Sequence, residues 1–184
     1  MIINRDKERD IAALIKKDKG SAAKDIYCVY AGYVGGICAR YLSSDDDIKD
    51  VVQDSFVKIF ISVGSFRYSG AGSLTAWIGR LTVNCALNYL RDNKRLRFAY
   101  AADELPDIAD EPPDVDSLSA NELASLIRDL PDGYRTVFNL YAIEGKKHKE
   151  IAKLLGIKEN SSASQYLRAK TLLAAKIRQY LNTK

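Results

Sequence analysis

The sequence predicts an all-α protein of two helical domains joined by an acidic linker, the C-terminal one a helix-turn-helix. Three observations lead there. Apolar residues recur at helical steps of three and four, and no segment alternates apolar and polar as a half-buried strand does. From Phe98 to Ile127 there is no Lys or Arg, but there are eight acids, with Pro106, Pro112 and Pro113 among them. Finally, "HKEIAKLLGIKENSSASQYLRAK" sets a short amphipathic segment, a Gly, and a second segment that opens on small and amide side chains.

Each element follows from local pattern. Residues from Arg5 to Lys17 form an amphipathic helix with Ile11, Leu14 and Ile15 on one face. A second helix is expected from Ser21 to Leu42. Gly32, Gly35 and Gly36 weaken it, at about 1 kcal/mol each relative to Ala, so a close helix contact or a kink is expected there. The third helix, in "SSDDDIKDVVQDSFVKIFISV", is capped by Ser44 or Asp45, with acids at its positive end. Its expected buried stripe is Ile48, Val51, Val52, Phe56, Ile59 and Phe60, which leaves Asp50, Gln53, Asp54 and Lys58 outside.

"GSFRYSGAGS" breaks the pattern with Gly64, Gly70 and Gly72 and is a loop. A long helix then runs from Ser73 to about Arg97, burying Leu74, Trp77, Ile78, Leu81, Cys85 and Tyr89. Arg80, Asn84, Asn88, Arg91 and Arg95 recur at steps of four, four, three and four, which aligns them as one polar ridge beside Lys94. Pro and like charge oppose a packed core in 99–117, the linker. The domains are thus expected at 1–98 and 118–184. The second contains helices near 118–129, 133–143, 148–155 and 159–180, with Pro131 at a helix start.

The formal charge of +4 conceals an uneven distribution. From Gly145 to Lys184 ten Lys and Arg face two acids, which suits a polyanion partner. Cys28, Cys38 and Cys85 show no C-x-x-C spacing, and His148 is the single His. No complete zinc ligand set is available, and three thiols without a framework fit a reducing cytosol. No apolar run approaches the ~20 residues of a spanning helix, and no leader peptide is visible. No cofactor or metal is expected. An enzyme is not expected either: there is no Glu-x-x-His pair and no nucleophile–base arrangement.

The C-terminal pattern points to duplex DNA. Ile151, Leu154 and Leu155 bury the first short helix, Gly156 ends it in a left-handed cap, and Ile157 anchors the turn. The second helix of such a motif lies in the major groove, its leading residues on base edges. Short Ser hydroxyls at 161 and 164 allow close approach, and Gln165 can pair with adenine. Arg168 and Lys170, with Lys146, Lys147 and Lys149, can hold phosphates.

Taken in order, "DIKDVVQDSFVKIF", "FRYSGAGSLTAWIGRLTVNCALNYLRDNKR", the acidic linker and "LPDGYRTVFNLYAIEGKKHKEIAKLLGIKENSSASQYLRAK" resemble a bacterial RNA polymerase sigma factor of the extracytoplasmic-function (ECF) group of the sigma-70 family. The resemblance covers nearly all of residues 21–181. It implies that Asp50, Gln53 and Asp54 contact the beta-prime clamp of the polymerase core, whose beta subunit is a further partner. The loop 66–73 is similar to one that captures a base flipped from the minus-ten element. Phe66 or Tyr68 could stack on that base, and for Phe66 a place in the core is the alternative. The ridge Arg80, Asn84, Asn88, Arg91, Lys94 and Arg95 matches the minus-ten face, while Trp77 belongs to the apolar stripe. Ser161, Ser164, Gln165 and Arg168 match positions that read the minus-thirty-five element. Many members have Gly-Thr-Val where this chain has Asn160-Ser161-Ser162, and Arg in place of Gln165. The linker is expected to thread toward the polymerase cleft, and an anti-sigma protein is an expected partner. The resemblance implies a cytoplasmic, nucleoid-associated protein without direct membrane insertion. The alternative is a stand-alone helix-turn-helix regulator, which leaves the Asp50/Gln53/Asp54 face and the 66–73 loop unexplained.

Overall fold

The computed structural model describes residues 5–93 and 113–184, and among them every regular element is helical. The chain divides into two compact units, Met1–Tyr89 and Leu90–Lys184. Residues 99–112 of the expected linker, and the expected helix end near Arg97, lie outside the described residues. No helix among those described is long and apolar enough to cross a membrane.

The first unit contains α1 (Arg5–Lys17), α2 (Lys19–Tyr41), α3 (Asp45–Ser62) and, as far as Tyr89, α4 (Ser73–Asp92). In α1, Ile11, Ala12 and Ile15 are buried as the periodicity requires. Helix α2 starts two residues earlier than Ser21 because Asp18 caps it, accepting from the Gly20 N–H at 2.9 Å and the Ser21 hydroxyl at 2.6 Å. Its buried stripe is Ala22, Ile26, Tyr30, Val34, Ile37, Cys38 and Tyr41. The helix runs unbroken through its glycines, and a Cβ at Gly35 or Gly36 would meet nothing within 4 Å. The close helix contact lies elsewhere. At Gly79 of α4 a Cβ would sit 2.6 Å from the Tyr33 hydroxyl of α2, so any larger residue there would have to push the end of that side chain aside.

Helix α3 is capped by Ser44, whose Oγ accepts from the Asp47 N–H at 3.5 Å. Its buried side differs from the expected stripe. Val51, Phe56 and Ile59 are inside, but so are Asp47 and Ser55, while Phe60 is 36% exposed. Both polar residues have partners. The Tyr89 hydroxyl donates to Asp47 Oδ1 at 2.6 Å, and the Ser55 hydroxyl donates to the Val51 carbonyl at 2.6 Å. A buried polar group is tolerated when such bonds replace its water.

The second unit holds α5 (Ala120–Arg128), α6 (Asp132–Phe138), a π-helical turn at Asn139–Ile143, α7 (His148–Leu155) and α8 (Glu159–Thr183). Leu130, Tyr134, Ala169, Leu173 and Ile177 form its core, with Leu123, Ile127 and Phe138 packed against them. Arg135 is 1% exposed. Its guanidinium donates to the carbonyls of Arg128 at 2.6 Å and Leu130 at 2.8 Å, and pairs with Asp132. It therefore satisfies carbonyls at the end of α5 while holding the turn into α6. Ser119 and Glu122 form a capping box at the start of α5. The same Glu122 carboxylate accepts from the Tyr180 hydroxyl at 2.6 Å and Lys184 Nζ at 2.9 Å, which ties α5 to the end of α8.

Truncating Arg135 to Ala strands two carbonyls and a carboxylate without their donor. The expected loss is about 3–5 kcal/mol in urea unfolding, and Arg135→Lys restores only part of it because one ammonium lacks the fork that serves the two carbonyls through Nη1 and the Asp132 carboxylate through Nη2. The Tyr180 hydroxyl, then Lys184 and Ser119, hold the Glu122 carboxyl well below the usual carboxylate range. A depressed folded-state pKa contributes stability that is complete above the unfolded value and is lost as pH falls toward the folded one. Melting temperatures of wild type and Glu122→Gln should thus differ at neutral pH and converge as the buffer is taken below the ordinary carboxylate pKa; a gap independent of pH would show that Glu122 acts only by packing.

Candidate nucleic-acid and polymerase interfaces

Three exposed faces collect the residues singled out by sequence. On α3, Asp50, Gln53 and Asp54 are all exposed and lie on one side of the helix. Val57, 49% exposed, and Ile61, 79% exposed, continue the same side. The sequence reading missed both, although the steps from Gln53 and Asp54 to Val57 and on to Ile61 carried the signal. An acidic face that runs into exposed apolar side chains offers both charge and apolar area to a partner.

The second face starts at the loop Phe66–Gly72 and continues along α4. Phe66 is only 9% exposed and packs on Trp77, ring centroids 5.4 Å apart, so its place in the core is the one adopted. Tyr68 is half-buried, and Arg67 Nη1 donates to the carbonyls of Gly64 at 3.3 Å and Phe66 at 3.1 Å. Gly70 and Gly72, with φ of 124° and 86°, take backbone conformations open chiefly to glycine. A cavity of about 330 Å³ opens beside them, lined by Phe66, Arg67, Ser73, Trp77 and Arg80 among others. That is near the lower end of the ~300–1,000 Å³ of small-ligand sites. Along α4, Arg80, Asn84 and Arg91 are exposed and Asn88 is half-buried. Lys94 and Arg95 lie outside the described residues.

The third face belongs to α7 and α8. Gly156, at φ 68°, forms the left-handed cap between them. Lys147 and Lys149 are exposed at the start of α7. On α8, Ser164 and Lys170 are exposed, and Ser161 and Arg168 are half-buried. The Ser164 hydroxyl donates to its own helix at Asn160, 2.9 Å away, and Lys170 Nζ lies 5.2 Å over the Tyr166 ring. Gln165 departs from the base-reading position implied by the resemblance. It is 5% exposed, because steps of three and four put it on the inward side of α8 with Ser162 and Ala169. Leu167, which the sequence reading passed over, is 52% exposed between Ser164 and Lys170.

The Ser that replaces an apolar residue at 162 is fully buried, and its hydroxyl pairs with His148 Nδ1 at 3.0 Å. The His148 ring stacks on Tyr141 at 4.4 Å and 13°, and Tyr141 lies 4.4 Å from Tyr166. Rings and one polar contact thus link α7 to α8, and Ile151 of α7 is itself fully buried.

Comparison with known proteins assigns these elements. The family model for Sigma-70 region 2 matches residues 26–96, and that for Sigma-70 region 4 matches residues 120–173. The chain is 32% identical over 160 residues to the ECF RNA polymerase sigma-E factor of Haemophilus influenzae, covering 80% of this chain and 83% of that protein. It is 32% identical over 140 residues to the ECF sigma factor SigM of Mycobacterium tuberculosis, covering 76% of this chain and 68% of the relative. The sigma factor RpoE of Bartonella quintana, solved in complex with the anti-sigma factor NepR, shares the fold at a TM-score of 0.50 and 19% identity, over 84% of this chain and 96% of that one. With both region models matched in order, and relatives of that identity along most of their length, this chain belongs to the extracytoplasmic-function group of the sigma-70 family of bacterial RNA polymerase sigma factors.

Proposed function

We propose that the chain gives a bacterial core RNA polymerase its promoter specificity and nucleates melting of the minus-ten element. One observation carries this reading: regions 2 and 4 each present an exposed face of the required chemistry, α3 and α4 in one and α7 and α8 in the other. The protein acts as an initiation factor rather than as a catalyst, in the cytoplasm where the polymerase works.

In the first unit, Asp50, Gln53 and Asp54 meet the beta-prime clamp, with Val57 and Ile61 adding apolar contact. Arg80, Asn84, Asn88 and Arg91, extended by Lys94 and Arg95, hold the melted strand, the amides facing bases and the guanidiniums the backbone. The cavity beside Phe66 takes the flipped base, and Tyr68, half-buried in the same loop, is the ring left to stack on it, since Phe66 is engaged with Trp77. In the second unit, Ser161, Ser164, Leu167 and Arg168 face the major groove of the minus-thirty-five element, while Lys147, Lys149 and Lys170 hold phosphates. Domain limits of 1–98 and 118–184, with 99–117 as the tether, suit this division of labour. An anti-sigma protein that covers the α3 face would keep the factor from the polymerase.

Asp54→Lys reverses one charge on an exposed face with no buried partner. It should lower core-polymerase association several-fold in pulldown while the far-ultraviolet circular dichroism and melting point hold, and undiminished capture of core would remove α3 from the interface. Arg168→Ala should weaken minus-thirty-five duplex binding. If Arg168 holds a phosphate, the slope of log K against log salt falls by about one unit; if it reads a base, discrimination at a single position falls by about 1–3 kcal/mol. Binding unchanged on both counts would take Arg168 out of the site.

A further inference from the structure

We infer that Glu8, on α1, is a positioning residue for minus-ten base capture; this rests on the promoter-recognition reading above. Glu8 is 2% exposed. Its Oε2 accepts from the Gly72 N–H at 2.6 Å, and its Oε1 accepts from the N–H groups of Leu74 at 2.6 Å and Thr75 at 3.2 Å. Those donors are the free N–H groups at the start of α4, which helices ordinarily satisfy with a side chain next to them in sequence. Here the neighbouring hydroxyl is committed otherwise: Ser73 Oγ accepts from the Ser69 N–H at 3.3 Å, inside the loop. The cap arrives from 64 to 67 residues away.

The difference matters for what the junction does. A local cap fixes a helix only to its own loop. A cap from α1 fixes the loop–helix junction to the body of the unit. That junction includes Gly72, at φ 86°, and Ser73, which lines the cavity together with Ala76, Trp77 and Arg80. Thr75 is bound a second time, by the Tyr30 hydroxyl at 3.2 Å, so the first turn of α4 is tied to both α1 and α2. The carboxylate also has an electrostatic consequence. The positive end of a helix is a ready seat for phosphate. Glu8 fills that seat from inside, so a nucleic-acid strand entering the cavity finds Arg67 and Arg80 as its cations and not the helix end. Glu8 thereby sets both the shape of the cavity and the direction from which a phosphate can approach. It touches no nucleic acid itself.

The test uses the full chain assembled with bacterial core polymerase. The probes are non-template-strand oligonucleotides carrying the minus-ten sequence that the wild type selects, with each of the four bases in turn at the most selective position. Glu8→Gln keeps the size of the side chain, removes the charge, and sets an amide NH2 against backbone N–H groups. It should lower the ratio of best to worst base by about tenfold, while minus-thirty-five duplex affinity and core association stay at wild-type values. A purely structural role would lower all three together or none. If Glu8→Gln does not fold, Glu8→Asp serves instead: it keeps the charge but is one methylene short of its donors, and should show the same selective loss. Unaltered base preference in the folded variant overturns the inference while leaving the promoter-recognition reading intact. If the wild type itself shows no base preference, the promoter-recognition reading of this loop fails, and the role of Glu8 falls with it.

Discussion

Helix α4 is gripped by polar side chains from each of the three helices before it, and the first unit is organised around that grip. Glu8 of α1 binds its N-terminal N–H groups, the Tyr30 hydroxyl of α2 meets Thr75, and Asp47 of α3 receives the Tyr89 hydroxyl. Apolar packing alone is weakly directional: a helix can slide or turn slightly against its neighbours and keep much of its buried area. Each residue turns an α-helix by about 100°, so a small rotation of α4 would carry Arg80 and Asn84 off the outward side. Hydrogen bonds at the first and last turns fix both the rotation and the axial position. Their burial makes them costly to break, because each freed group would be left without water.

The second unit solves a different problem. Its recognition helix must be held at an angle to α7 by short connections, with little apolar surface on its leading turns. Arg135 anchors the entry by bonding the carbonyls that end α5, and the π-helical turn after Phe138 carries Tyr141 into the stack with His148. Ser162 puts a hydroxyl in the buried joint between α7 and α8, and the only His in the chain meets it with a hydrogen bond. Glu122, Tyr180 and Lys184 then tie the far end of α8 to α5, so the helix is restrained at its end as well as at its leading turns.

Much of this was legible in the residues. The helix starts at Asp45 and Ala120 follow from Ser44 and Ser119, and the turn at Gly156 follows from a Gly placed after an apolar helix end. The outward positions of Asp50, Gln53, Asp54, Arg80 and Asn84 follow from their steps relative to buried neighbours. What misled the pattern was residue type. Val57 and Ile61 are apolar yet outside, while Asp47, Ser55 and Gln165 are polar yet inside. Periodicity placed these residues correctly around their helices, but polarity suggested the opposite side.

By itself, then, the sequence determined that the chain is helical, roughly where its helices lie, and that an acidic linker joins two net-positive halves with different tasks. These properties depend on groups within a few residues of one another, and local sequence carries them. Only the tertiary structure decided which polar side chains turn inward, and that the start of α4 is capped by a residue on α1. A bond between groups more than sixty residues apart leaves no periodic trace in either segment, because neither segment alone contains its partner.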